Sequence, residues 1–243
     1  MITAPKAGKL SETRLSEARG LIERYSEANV PTEYGTFHAV VYREHRALPS
    51  GGHAFDEHIA MVMGEARGAD VLVRVHSECL TGEVMHSLKC DCREQLDRGM
   101  RAVAAEGRGV VMYLRQEGRG IGLGDKIRAY ALQERGVDTV DANRLLGFPD
   151  DARRYDVAAF MARDLGIESV QLLTNNPDKV RKLRAAGIPV HQRVPVYIEP
   201  NPHNVGYLLT KSRRMSHALD IDGAADNDRV IDAAVRDDDG NAE

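Results

Sequence analysis

The sequence predicts an α/β fold with an α+β tendency: a single catalytic domain built on a mixed sheet with flanking helices. Three observations carry this expectation. The first half is rich in short β-branched and apolar runs bounded by Gly, Pro or Asp. From Cys92 onward, short apolar runs alternate with helix-periodic segments, and the helices stop at glycines. Hydrophobic residues make up 42% of the chain, enough to supply one core for 243 residues.

The elements follow in order. Leu10 to Ala28 is mostly charged, with Leu10, Leu15, Leu21, Ile22 and Tyr25 as its apolar positions, and reads as an amphipathic helix that Pro31 ends. Thr36–Tyr42, His58–Gly64 and Val71–Val75 read as strands, the first two separated by a polar loop around Pro49-Ser50-Gly51-Gly52. Leu96, Met100, Val103 and Ala104 keep helical spacing until Gly107 and Gly109. Val110–Leu114 is a strand, followed by a glycine-rich turn and a helix over Lys126–Glu134 that ends at Gly136. Val157–Leu165 is a helix ending at Gly166, Val170–Leu173 a strand, and Pro177–Ala186 a helix ending at Gly187. The chain shows no internal repeat. Past Leu219 it turns acidic and offers little apolar surface to offset the entropy of ordering, so a disordered tail is expected.

Charge and composition narrow the function. The net charge is −4, but Asp220–Glu243 holds nine acids against Arg229 and Arg236, which leaves the body mildly basic. Such a body suits a small polyanion better than a nucleic-acid duplex, which calls for a dense basic face. Aromatic residues are only 5% and Trp is absent, which disfavours a base-stacking surface. No apolar run approaches the roughly 20 residues that span a membrane, and Met1–Leu10 lacks the apolar core of a secretory signal. The three cysteines lie between Cys79 and Cys92, an odd number and a poor disulfide framework. A cytoplasmic protein with no membrane and no nucleic-acid partner is expected.

The cysteines read best as a metal cluster, Cys79-x10-Cys90-x-Cys92. Thiolates are strong zinc ligands, and three leave the fourth tetrahedral position open. A catalytic zinc keeps that position for water and lowers its pKa towards about 7. A structural site would close it with a fourth ligand, His76 or His86. Spacing alone leaves both readings open, and unliganded cysteines remain a third.

Two strand-to-helix turns carry the other candidates. Gln116-Glu117-Gly118-Arg119-Gly120-Ile121-Gly122-Leu123-Gly124 has alternating glycines that let backbone N–H groups approach a ligand. It fits neither the dinucleotide fingerprint nor the P-loop. Arg115 and Arg119 flank Glu117. Guanidinium groups hold phosphate as forks, and a carboxylate accepts both N–H groups of a guanine edge. Glu78 is a second candidate for that edge, with Glu117 preferred. In Thr174-Asn175-Asn176-Pro177-Asp178-Lys179, Asn176 is an expected N-cap and Pro177 an expected first-turn residue, so a helix N-terminus would face an anion. Asp151-Ala152-Arg153, taken alone, reads as a solvated surface pair.

Together these motifs are more specific than any one of them. Arg74-Val75-His76-Ser77-Glu78-Cys79, Cys90-Asp91-Cys92, Arg115 to Leu123, and Thr174-Asn175-Asn176-Pro177 resemble, in order and spacing, the GTP cyclohydrolase II family of riboflavin biosynthesis. The resemblance implies three regions: an extension over residues 1–30, a catalytic domain over 31–219 and the acidic tail over 220–243. It implies one catalytic zinc per chain on Cys79, Cys90 and Cys92. It implies a GTP site formed by Arg74, Val75, His76, Ser77, Glu78, Gln95, Glu117, Gly118, Arg119, Thr139, Thr174 and Lys179. Asp151 matches the family's proposed proton acceptor, Arg153 its proposed nucleophile, and Tyr130 a tyrosine at the reacting base. Magnesium would accompany the triphosphate, and most members are homodimers. The implied reaction converts GTP to 2,5-diamino-6-(5-phosphoribosylamino)pyrimidin-4-one, formate and pyrophosphate. Departures such as Met85-His86-Ser87-Leu88-Lys89 before Cys90 keep a second enzyme reading open, a paralogue that stops at the formamidopyrimidine. A zinc-containing nucleotide-binding module is the non-enzyme alternative.

Overall fold

The structure, a computed structural model, describes residues 21–47, 53–196 and 198. Three long strands open it: β1 (Ile22–Thr32), β2 (Gly35–Ala47) and β3 (His53–Met63), paired antiparallel in sequence order. After them come β4 (Val71–Ser77), α1 (Leu80–Glu83), α2 (Cys92–Glu106) and β5 (Gly109–Leu114). A 3-10 turn over Glu117–Gly120 leads into α3 (Leu123–Gln133) and α4 (Thr139–Leu145). The chain then runs through α5 (Asp156–Asp164), β6 (Val170–Leu173), α6 (Pro177–Ala185) and β7 (Val190–Val194).

All seven strands form one mixed sheet in the order β1-β2-β3-β5-β4-β6-β7. β5 pairs antiparallel with β3 and parallel with β4, while β6 and β7 extend the parallel half. The mixed α/β fold expected from the sequence is therefore observed. Alternation along the strands divides the core. Val71, Val73, Val75, Val110, Met112 and Leu114 pack on the face covered by α5, with Ala158 and Met161. Val111 faces the other way, towards Met100 and Val103 of α2, with Phe37 and Leu173. The same period of two puts Arg74 and His76 of β4 out of register with the valines. Arg74 lies against α2, where a Cβ on Gly99 would stand 3.1 Å from its Cγ.

One expectation fails. Residues 22–28 form an edge strand, not part of a helix, Leu21 before it is irregular, and residues 10–20 of the expected helix lie outside the described ones. Pairing with β2 outweighs the weak helical periodicity. Ile22 enters the core, a bulge shifts the register between Arg24 and Ser26, and Tyr25 lies under the Arg43 guanidinium, 3.2 Å from its ring centroid. Pro31 ends no helix; it sits within β1, a position an edge strand tolerates because one side of its backbone needs no ladder partner. β1 thus crosses the expected boundary at residue 30. The expected loop around 49–52 and the tail fall outside the described residues. No helix among the described residues is long and apolar enough to cross a membrane.

Candidate active site

The carboxyl ends of the adjacent parallel strands β5, β4 and β6 all open onto one cleft. Ligands in open α/β sheets bind at such strand ends. β4 delivers Arg74, His76 and Ser77, with Glu78 directly after it, the segment after β5 delivers Glu117, Gly118 and Arg119, and the segment after β6 delivers Thr174, Asn175 and Asn176. Cys79, Cys90, Cys92, Gln95, Tyr130, Arg153 and Lys179 complete most of the predicted set.

The three cysteine sulfurs converge, all within 4.8 Å of one another, with Cys79 Sγ 3.6 Å from Cys90 Sγ. Sulfurs around a tetrahedral zinc at about 2.3 Å stand about 3.8 Å apart, so the spacing and donor chemistry fit that ion. No His, Asp or Glu joins the group among the described residues. His76 is engaged elsewhere, and His86 faces Arg93, with Nδ1 2.6 Å from Nη1. Neither stands in the cysteine group among the described residues. Thiols of Cys90 and Cys92 directed at Cys79, with the Lys126 ammonium beside it, hold Cys79 well below the usual thiol range. The hydrogen bond to Cys79 pushes Cys90 up to about 11. Gly82 of α1 backs the sulfurs, and a Cβ there would stand 2.7 Å from Cys90 Sγ.

A buried polar chain supports the cleft. Tyr113 donates its hydroxyl to Glu83 Oε2 at 2.5 Å, and Glu83 Oε1 lies 2.7 Å from His76 Nε2. The rings of His76 and Tyr113 stack at 5.6 Å. His76 Nδ1 faces Arg74 Nη2 at 3.4 Å, so Nδ1 accepts and Nε2 carries the proton. Burial, outweighing the pull of Glu83, takes His76 down to about 4 and keeps it neutral. Arg74 donates to Leu173 O at 3.0 Å and to Gln95 Oε1 at 2.6 Å, and Gln95 donates to Asp91 Oδ2 at 2.5 Å. The chain thus ends on the residue between Cys90 and Cys92.

The glycine-rich turn is tightly wound. Gly118 and Arg119 both sit at φ +61°, and Gly120 at +92° against Ala152. A left-handed conformation is unfavourable for Arg119, and Ala152 N–H, donating to its carbonyl at 3.1 Å, helps hold it there. Glu117 accepts from Leu80 N–H at 2.6 Å, Gly118 N–H at 2.9 Å and Lys126 Nζ at 2.8 Å. Its carboxylate is committed to the protein. Glu78 accepts from Arg115 Nε at 2.8 Å through one oxygen only, and burial, against the pull of Arg115, raises its pKa. Of the two candidate acids, Glu78 is therefore the one with an oxygen to spare for a base edge. Arg119 lines the cleft, whereas Arg115 turns to Glu78 and does not.

Asp151 and Arg153 are not the solvated pair that spacing alone favours. Their side chains are 12% and 13% exposed, and Arg153 donates from Nε and Nη2 to the two carboxylate oxygens, each at 2.8 Å. Lys182 Nζ adds a contact at 3.3 Å. Burial would raise the Asp151 pKa, but Arg153 outweighs it and holds the carboxyl well below its usual range. Arg153 reaches the cleft; Asp151 stands behind it. Asn176 caps α6, its Oδ1 accepting from Lys179 N–H at 3.1 Å. Lys179 Nζ donates to the Val75 carbonyl at 2.8 Å, so Val75 meets the site through its backbone while its side chain lies in the core. Thr139 opens α4, and its side chain lies outside the described part.

Comparison with known proteins decides the family: residues 23–195 match that of GTP cyclohydrolase II. The chain belongs to the GTP cyclohydrolase II family. It is 51% identical to GTP cyclohydrolase-2 of Actinobacillus succinogenes, over 82% of this chain and 88% of that protein. It is 48% identical to GTP cyclohydrolase-2 of Neisseria gonorrhoeae, over 82% of this chain and 98% of that one. The riboflavin biosynthesis protein RibBA of Bacillus mycoides is 48% identical, over 83% of this chain but 49% of its own length. Five residues that sequence reasoning left out of the family's site, Asp91, Lys126, Asn175, Asn176 and Val196, also line the cleft. Lys126 had a signal: it lies four residues before Tyr130, one helical turn away on the same face.

Proposed function

We propose that this chain is a GTP cyclohydrolase II: it hydrolyses GTP, opening the imidazole ring and releasing formate and pyrophosphate, to give 2,5-diamino-6-(5-phosphoribosylamino)pyrimidin-4-one. On this reading it supplies the first step of riboflavin biosynthesis. The observation that carries it is the meeting, in one cleft, of three cysteine sulfurs with Arg119, Arg153 and the amino end of α6. A reaction that cuts both a ring carbon and a phosphoanhydride needs such a pairing of metal ligands with cations. The family and the names of the relatives support the same reading.

Cys79, Cys90 and Cys92 would hold one zinc per chain. When bound, zinc supplies the Lewis acidity that makes water nucleophilic near neutral pH. Arg119, Arg153 and Thr174 would hold the triphosphate, with magnesium, and Tyr130 would pack at the base. Glu78 would accept guanine's N–H groups, and Glu117 would fix the turn. Arg153 would stabilise charge on the α-phosphate as pyrophosphate leaves. Asp151, with both oxygens engaged and its carboxyl firmly ionised, is a weak proton acceptor. Its role on this reading is to aim Arg153. A cytoplasmic homodimer is the expected form; sedimentation of the purified chain tests the dimer.

The deciding experiment is product analysis from GTP with zinc and magnesium. Formate and the diaminopyrimidine should appear in equal amounts with pyrophosphate. A product one formyl group heavier, with no formate, would instead identify the formamidopyrimidine-forming enzyme. No turnover with tight GTP binding would identify a binding module.

A further inference from the structure

Lys126 is a buried cation that the proposed chemistry leaves unused. It lies on α3 and is 8% exposed. An ammonium has three N–H donors, and Lys126 Nζ meets three acceptors: Cys79 Sγ at 3.1 Å, Thr81 Oγ1 at 2.8 Å and Glu117 Oε1 at 2.8 Å. Its donors are spent on the protein, so it has none left for a phosphate. Its stem is packed as well: a Cβ on Gly118 would stand 3.1 Å from Lys126 Cβ. Helix α3, the start of α1 and the glycine-rich turn therefore meet at one nitrogen.

We infer that Lys126 is a positioning residue for the cysteine cluster, fixing the direction of the Cys79 sulfur and offsetting the charge gathered by three thiolates. This rests on reading the cluster as a metal site. Three thiolates around a dication leave one net negative charge, in a cleft that must admit a polyanion. A cation donating to one sulfur offsets that charge and draws electron density from the ligand. Groups outside the ligand shell that orient a ligand typically contribute about 10–100-fold to metal affinity. An ordinary buried Lys–Glu pair would instead contribute to folding and leave metal affinity alone.

The test is competition between the full-length protein and a chromophoric chelator for zinc, together with the thiolate-to-metal absorption band of the cobalt-substituted protein. K126M and K126Q should bind zinc about 10–100-fold more weakly than wild type while circular dichroism shows native secondary structure. K126R keeps the charge and N–H donors, so it should bind close to wild type but with a shifted cobalt band, because a longer group remakes the contact to sulfur. A folded K126M or K126Q with wild-type zinc affinity would overturn the proposal while leaving the metal site intact. If both fail to fold, K126R decides, and an unchanged cobalt band overturns it. If wild type binds neither metal through its cysteines, the reading of the cluster as a metal site falls, and this proposal with it.

Discussion

Replacing Gly82 with alanine is a direct test of the cluster. Gly82 lies in α1, in the segment that backs the sulfurs, and a Cβ there would stand 2.7 Å from Cys90 Sγ and 3.1 Å from Cys79 Sγ. The shorter approach falls about 0.7 Å short of ordinary contact, whereas a metal site tolerates ligand displacements of about 0.2 Å. One methyl group therefore asks for several times the movement the site can absorb. Local backbone preference works the other way, because alanine stabilises a helix by up to about 1 kcal/mol relative to glycine. A loss of metal binding would then come from the sulfurs and not from the helix. G82A is expected to lose at least ~10-fold in zinc affinity, read by chelator competition and by metal content after dialysis, with its thermal transition retained. Zinc affinity within error of wild type would refute the reasoning, since it would mean the three sulfurs need not stand where the structure puts them.

Four further outcomes are expected. Burial holds His76 at about 4 against an unfolded value of 6.5. Its contribution is fully present above pH 6.5 and is lost as pH falls towards 4, by up to about 3 kcal/mol. Denaturant titrations of wild type and H76Q from pH 7.5 to 4 should therefore converge at the acid end, and a pH-independent difference sinks the argument. R153K should retain measurable pyrophosphate release while R153A loses it. D151N, which removes the carboxylate charge engaged by Arg153 Nε and Nη2, should lower stability, by up to about 3 kcal/mol. A guanylyl adduct trapped on wild type and absent from R153A would show that Arg153 attacks phosphorus instead. GTP should be used far better than ATP, because adenine would leave the Glu78 oxygen unpaired at a cost of about 1–3 kcal/mol; equal kcat/KM values for the two nucleotides would remove Glu78 from base recognition.

Much of the site was legible because its side chains come from strand ends and turns that leave local signatures. Asn176-Pro177 marks the start of α6 by its own chemistry, and the cysteines announce a cluster by type and spacing. What was not legible depends on partners distant in sequence. Nothing near Glu117 shows that Leu80 N–H and Lys126 consume its oxygens, and nothing near Arg115 shows that it turns to Glu78. Asp151 and Arg153 have the spacing of a surface pair, and only the packing around them buries it. The misread helix before Pro31 has the same origin. β1 has little apolar pattern of its own, and pairing with β2 supplies its order.

The reversal of pairing sense at β5 has a consequence for how this protein can change. The meander β1–β2–β3 reaches the cleft strands only through the flank of β5, and β1, β2 and β3 contribute no side chain to the cleft. That half of the molecule is a frame that braces the loops from the side, His58 accepting from Arg115 N–H at 3.1 Å and Glu44 pairing with Arg154. The segments after β4, β5 and β6 hold nearly every charged group of the site, so altered substrates must be accommodated there. Function borne on loops above a fixed scaffold divides a sequence into parts that diverge for different reasons. In this chain the division falls between two neighbouring strands of a single continuous sheet.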